Sequence, residues 1–202
     1  MESWAMEKIK TEDARTRLQN AAVALFAEQG YDRTTAAGIA ARAGVTERTF
    51  FRHFPDKREV LFDGGAVLSA ALAESLAGMP AGIAPLAMLF RAFHGVLPLL
   101  EANRAVSKPR HDVIANTPAL REREVAKHEA MAVALAGALQ SRGVAELPAE
   151  LAARAGMAAF VQATLAWLND ESVTLTAHLD LAQRALEAVL TGDGSGGPQP
   201  GK

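Results

Sequence analysis

The sequence predicts an all-α fold, and three observations carry that reading. Alanine and leucine dominate a 202-residue chain in which aromatic residues make up only 5%, and no clean alternating run of the kind a half-buried strand needs is present. The stretch TTAAGIAARAGVTERTFFRHFPDKREVLF, residues 34 to 62, reads as two short helices joined by a tight turn and followed by a third helix start. Further along, apolar residues recur at helical spacing between Pro and Gly punctuation.

Taken in order, residues 1 to 10 read as a loose arm in which Trp4 is an isolated aromatic. Thr11, followed by Glu12 and Asp13, marks the start of a first helix, whose Leu18, Ala22, Leu25 and Phe26 share a face and which stops at Gly30. A second, short helix carries Ile39, Ala40 and Ala43; Gly44 then takes the left-handed position after it, and Val45 packs back into the turn. Thr46 caps the third helix, which places Phe50 and Phe54 one turn apart, with Phe51 beside them, while Glu47, Arg48 and Arg52 face outward. Asp56 and Glu59 are spaced as a capping box, so a long fourth helix is expected from Asp56 or Lys57 to about Gly78. Pro80, Gly82 and Pro85 form a loop. Pro85 suits the first position of a fifth helix ending near Glu101 and bent at Pro98. A sixth lies between Arg104 and Ala115, and Thr117 with Pro118 opens a seventh, closed by Gly143. Pro148 starts an eighth helix to about Asn169, and a ninth runs from near Val173 to Leu190. No internal repeat is present. The expected domains are therefore residues 11–56, residues 57–191 and a Gly- and Pro-rich tail, 192–202, which has nothing to bury and is expected to be disordered.

Two short helices around a glycine turn form a helix-turn-helix, in which the second helix lies in the major groove and its N-terminal residues reach base edges. Lys57 and Arg58 have the wrong sign for a helix N-terminus but suit an anion such as a DNA phosphate; the alternative is that both extend into water.

At these residues the chain resembles the TetR family of transcriptional regulators. The resemblance is carried by Thr35, Ile39, Ala40, Ala43, Gly44, Val45, Thr46, Thr49, Phe51, His53, Phe54, Lys57 and Leu61, and it is close over residues 11 to 62. Beyond them it extends only to length and the all-helical pattern. It implies an N-terminal three-helix DNA-binding domain and a C-terminal helical domain for ligand binding and dimerisation. The DNA-binding residues it points to are Thr35, Thr46, Glu47, Arg48 and Thr49, together with Phe51, Arg52, His53 and Lys57. Two departures stand out. Phe51 replaces the family's common Tyr and loses a hydroxyl that could bond a phosphate; Arg48, where Gly is frequent, offers a bidentate donor beside the groove.

The overall charge of −2 divides unevenly: residues 1 to 60 hold ten Lys or Arg against nine Asp or Glu, and the remainder eleven against fourteen. DNA binding would then depend on a few placed cations, Arg48, Arg52, Lys57 and Arg58, which favours a sequence-specific reader over a nonspecific coat.

The last two helices suit a partner. Leu175, Leu179, Ala182, Leu186 and Val189 form a stripe that Leu181, Ala185 and Ala188 widen, and the eighth helix offers Ala152, Ala155, Gly156, Ala158 and Ala159 for close approach. These faces pack either within one subunit or against a second copy; the resemblance implies a homodimer through a four-helix bundle. In the middle helices, Phe90, Phe93, His94, Leu97, Met131 and Leu135 join Phe160, Thr164 and Trp167 in mixing bulky apolar groups with a few polar tips. That composition fits an ordinary core as well as an apolar ligand pocket. The resemblance implies an inducer there. The segment PRHDVIANTPALRERE, residues 109 to 124, is similar to a subgroup associated with acyl-CoA-like ligands, for which Arg110 or Arg104 would meet a phosphate or carboxylate; an arginine that is exposed or paired with Asp112 is the alternative.

No cysteine is present, which excludes disulfides and thiolate metal sites and agrees with a reducing cytoplasm. His53, His94, His111, His128 and His178 are scattered, and no nucleophile elbow or phosphate-binding loop occurs, so no catalysis, metal or cofactor is expected. No membrane span is expected either, and the reading is of a cytoplasmic, ligand-responsive DNA-binding repressor. The rival is an all-helical small-molecule or lipid-binding protein or enzyme without DNA function.

Overall fold

A computed structural model describes residues 2–80 and 82–192, with side chains from residue 14 onward. Among the described residues there is no strand; the helices are α1 (Glu2–Gln29), α2 (Ala36–Arg42), α3 (Glu47–His53), α4 (Gly65–Ala77), α5 (Pro85–Ala102), α6 (Arg104–Ala115), α7 (Pro118–Gln140), α8 (Glu146–Asn169) and α9 (Leu175–Thr191), with a 3-10 turn at Glu59–Leu61.

They form two compact units. The first takes in the chain up to residue 66 and residues 105–125; the second takes in residues 67–104 and the chain from 126 onward. The sequence-based division at 56/57 differs from this grouping. Val113 and Ile114 of α6 and Leu120 of α7 are buried in one core with Leu18, Phe26, Ile39, Phe50 and Phe54, so the α6–α7 corner folds with the helix-turn-helix.

Several elements depart from expectation. Residues 2–10 are not a loose arm: α1 is continuous from Glu2, because ESWAMEKIK contains neither Gly nor Pro to stop a helix before Thr11. The long fourth helix is broken. Asp56 does cap, its Oδ1 accepting from the amides of Arg58 at 2.7 Å and Glu59 at 3.0 Å, but only a 3-10 turn follows. The chain then turns through Gly64 at φ +88°, in the left-handed region glycine tolerates, before α4 starts at Gly65. Thr117 does not cap α7 with its side chain; its hydroxyl donates to the Val113 carbonyl at 2.9 Å, closing α6 instead. The eighth helix opens at Glu146, with Pro148 in its first turn where a missing amide costs nothing. Apart from Gly192, the tail expected to be disordered lies outside the described residues.

In the second unit α8 packs on α5 and α9. Its core holds Leu72 and Leu76 of α4, Leu89 and Phe93 of α5, Leu135 of α7, Phe160 of α8 and Leu179 of α9. Two stretches, 59–77 and 146–169, have the length and apolar composition of a membrane span. The first is interrupted at Gly64, and the second buries Ala153, Gly156, Phe160 and Trp167 within the unit, so neither presents an uninterrupted lipid-facing cylinder.

Candidate nucleic-acid interface and effector core

The reading head is built by caps. Thr35 Oγ1 accepts from the Gly38 amide at 3.0 Å to start α2, which ends with Gly44 at φ +67°. The Gly44 amide donates to Ala41 and the Val45 amide to Ala40, a Schellman ending that leaves two helix carbonyls satisfied and turns the chain sharply. Thr46 Oγ1 then accepts from the Thr49 amide at 3.2 Å and lies 3.0 Å from the Thr49 hydroxyl, fixing the first turn of α3.

One face of α3 is anchored and the other is open. Phe50 is fully buried, its ring edge-on to Phe51 and tilted against Phe54. Phe51 itself is 52% exposed, with only its contact to the Phe50 ring among the described aromatic pairs. Arg48, Thr49 and Arg52 line a shallow depression on this face, and Arg48 and Arg52 make no ion pair among the described residues. Arg42 and Arg58 are engaged: Arg42 pairs with Glu28 at 2.7 and 2.9 Å, and Arg58 reaches Asp56 at 3.4 Å. Two long cations and an aromatic ring thus stand on the exposed side of a short capped helix, which is chemistry for phosphate and base-edge contact.

Two residues expected at this face also have contacts or burial within the first unit. Lys57 Nζ donates to the carbonyls of Tyr31 and Thr34, both at 2.8 Å, and lies 4.2 Å from the centre of the Tyr31 ring. The sequence offered no sign of this, because the carbonyls come from the α1–α2 connection. His53 has a buried Nε2 without a hydrogen-bond partner, and that burial, aided by Arg52 and Arg15, pushes its pKa down. Nearby, Arg15 grips both oxygens of Asp63 and Gln19 donates to one of them at 2.9 Å; the Arg15 hydrogen bond holds the Asp63 carboxyl below the ordinary carboxylate range, against the opposing pull of burial.

The middle-helix candidates come together, with one exception. Phe90, Phe93, Leu97, Met131, Leu135, Phe160 and Trp167 are all buried in the core of the second unit, where Phe93 and Phe160 stack at 4.5 Å between ring centres. Gly156 lies beside them, and a Cβ there would stand 3.2 Å from Leu89 Cδ1 and 3.4 Å from Phe93 Cε2. The polar tips are already engaged: Thr164 donates to the Phe160 carbonyl at 2.8 Å, and His94 lies 2.7 Å from the Phe90 carbonyl and 2.8 Å from Asp180. The exception is Arg110, which belongs to the first unit; its Nη1 donates to the Leu61 carbonyl at 2.8 Å, and burial lowers its pKa against the opposing influence of Glu124. The Asp112 partner considered for it is instead bound to Lys108 at 2.6 Å, a one-turn neighbour on α6. Arg104 is in the second unit and caps the end of α8, donating to the Trp167 carbonyl at 3.0 Å with its guanidinium 5.1 Å from the Trp167 ring centre. Among the described residues, no group of three His, Cys, Asp or Glu is placed to hold a metal.

Residues 18–63 match the family model described as bacterial regulatory proteins, tetR family, the same span that carries the caps and the open α3 face. Over these residues the chain is similar to the TetR family. A curated relative, the HTH-type transcriptional regulator TcmR of Streptomyces glaucescens, is 40% identical over 88 residues, 44% of this chain and 39% of that protein. The chain's match thus spans about two fifths of that relative's length. Among solved structures, Thermus thermophilus FadR, a TetR-family repressor in complex with lauroyl-CoA, superposes with a TM-score of 0.55 at 27% identity, covering 93% of this chain and all of that one. The SmeT–triclosan complex gives 0.58 at 22% identity, covering 94% and 99%. Within the matched span the helix-turn-helix was therefore legible residue by residue, whereas the ion pairs that hold it joined residues too far apart in sequence for spacing to reveal.

Proposed function

We propose that this chain is a ligand-responsive transcriptional repressor that reads a palindromic DNA operator as a homodimer in the cytoplasm. The observation that carries this reading is α3 itself: buried on its Phe50 side, capped by Thr46, and presenting Arg48, Thr49, Phe51 and Arg52 together on the open side. Glu47, exposed in the first turn, selects against bases that offer only acceptors, and Thr35 presents the start of α2 to the backbone. Lys57 acts behind the face by holding the α1–α2 connection.

A two-fold partner fits the outer faces of α8 and α9. Leu147 and Leu151 of α8 and Leu181 and Val189 of α9 are exposed, Val189 by 74%, and a second copy of the chain would cover them. Two reading heads then face two half-sites.

The effector is a largely apolar small molecule held among α5, α7 and α8. The aromatic core around Phe93, Phe160 and Trp167 supports it, as does the lauroyl-CoA bound to the Thermus relative, which favours an acyl-chain ligand. Such a ligand releases DNA only if it prefers the non-DNA conformation.

The experiment is selection of duplexes from a randomised library by the purified protein, followed by footprinting. Recovery of a two-fold repeat protected on both halves is expected; failure to enrich any sequence over nonspecific DNA would defeat the assignment.

A further inference from the structure

The 3-10 turn Glu59–Leu61 follows the recognition helix and is held locally by the Asp56 cap on the Arg58 and Glu59 amides, by the amides of Leu61 and Phe62 donating back to Arg58 and Glu59, and by Arg58 at 3.6 Å from a Glu59 oxygen. Its two ends are also gripped from far along the chain. At the start, Arg123 of α7 donates from Nε and Nη2 to the two Glu59 oxygens at 2.9 and 3.0 Å, across 64 residues of sequence, and lays its guanidinium 5.2 Å from the Phe62 ring centre. At the end, Arg110 of α6 donates at 2.8 Å to the Leu61 carbonyl, with Glu124 at 3.7 Å from its other nitrogen.

We propose that Arg110 and Arg123 are positioning residues for DNA recognition, clamping the turn that sets the base of α3 while touching no DNA themselves. The link to the reading face is short. Val60 and Leu61 are buried in the same core as Phe50 and Phe54, so a shift of the turn moves the anchored side of α3. A bidentate arginine–carboxylate pair fixes direction as well as distance, unlike a lone surface ion pair. Val113, Ile114 and Leu120 complete that core, so α6 and the start of α7 carry both grips on one apolar wedge.

The inference rests on the DNA-reading assignment, and its test separates the two. Wild-type protein first selects a duplex from a random library; if none is enriched, the assignment itself fails. With that duplex, affinities of Arg123→Gln, Glu59→Gln and the double variant are measured on protein shown to be folded by circular dichroism. One variant removes a positive charge and the other a negative one, so a long-range field effect moves affinity in opposite directions, whereas loss of the clamp moves both the same way. We expect each single variant to weaken the selected duplex about three- to tenfold, the double to be no worse than either single, and Arg110→Gln to weaken it as well. The slope of affinity against salt should stay unchanged, since no phosphate contact is lost. Opposite shifts, unchanged affinity, or a slope lowered by about one would overturn the proposal. Should a neutral variant fail to fold, Arg123→Lys replaces it, with an intermediate loss expected and wild-type affinity counting against the clamp.

Discussion

The Lys57 ammonium lies 4.2 Å from the centre of the Tyr31 ring while donating to the Tyr31 carbonyl at 2.8 Å, so a lysine at the foot of the reading head is oriented by the connection between α1 and α2. A third carbonyl, that of Asp32, stands at 3.5 Å. Three acceptors and a ring face around one ammonium make a strut rather than a free phosphate donor.

Replacing Lys57 with Met should therefore lower the stability of the reading head by about 1–3 kcal/mol, because the Tyr31 and Thr34 carbonyls lose a charged donor. Thermal unfolding measures the loss. The salt dependence of DNA affinity should not change; a slope lowered by about one would put Lys57 on a phosphate.

Arg48 is the strongest candidate for base reading, being exposed, unpaired among the described residues and in the first turn of α3. Arg48→Ala should cost about 1–3 kcal/mol on a site with guanine at the contacted position and relax preference there alone. Competition binding against single-base operator variants decides it: an unaltered preference profile removes Arg48 from base reading.

The second unit makes a reciprocal prediction. If lauroyl-CoA binding weakens operator binding about 5- to 150-fold, operator must weaken lauroyl-CoA binding by the same factor. Calorimetric titration with and without the selected duplex tests this, and equal affinity in both conditions would falsify the inducer mechanism. Phe93→Ala, which opens the stack with Phe160, should lower stability by about 3–5 kcal/mol and alter ligand affinity without changing base preference.

His53 and Asp63 give the reading head an acid limit. Burial lowers the His53 pKa below its unfolded value, so the stability this group confers is complete above the unfolded value near 6.5 and is lost as pH falls towards the folded one. Asp63, also lowered, contributes above its unfolded value near 3.8 and loses that contribution in more acid solution. Thermal midpoints should fall as pH drops below about 6.5, and His53→Gln should flatten that first descent. The groups facing His53 are Arg15, Arg52 and Asp63, so Arg15→Gln should move the descent as well. A midpoint independent of pH between 7 and 5 would show that the His53 ring is not titrating differently in the folded chain.

What the sequence determined by itself was local. Gly44 and Thr46 act through atoms three to five residues away, so the turn and the α3 cap could be read from spacing, and with them the direction of α3. Apolar periodicity likewise located α5 to α9 and the group formed by Phe93, Phe160 and Trp167, since one helix face must bury. Tertiary structure alone decided what the long polar side chains do. Lys57 turned inward, Arg110 joined the first unit rather than the aromatic core of the second, and Arg123 found Glu59 across 64 residues. The fourth helix failed for a related reason: Asp56 signalled a helix start correctly, but the chain's continuation through Gly64 was set by the core that takes Val60, Leu61 and Phe62. A lysine or arginine reaches several ångströms in any direction on a flexible stem, so its partner depends on which backbone the fold brings within range, information that neither spacing nor composition contains.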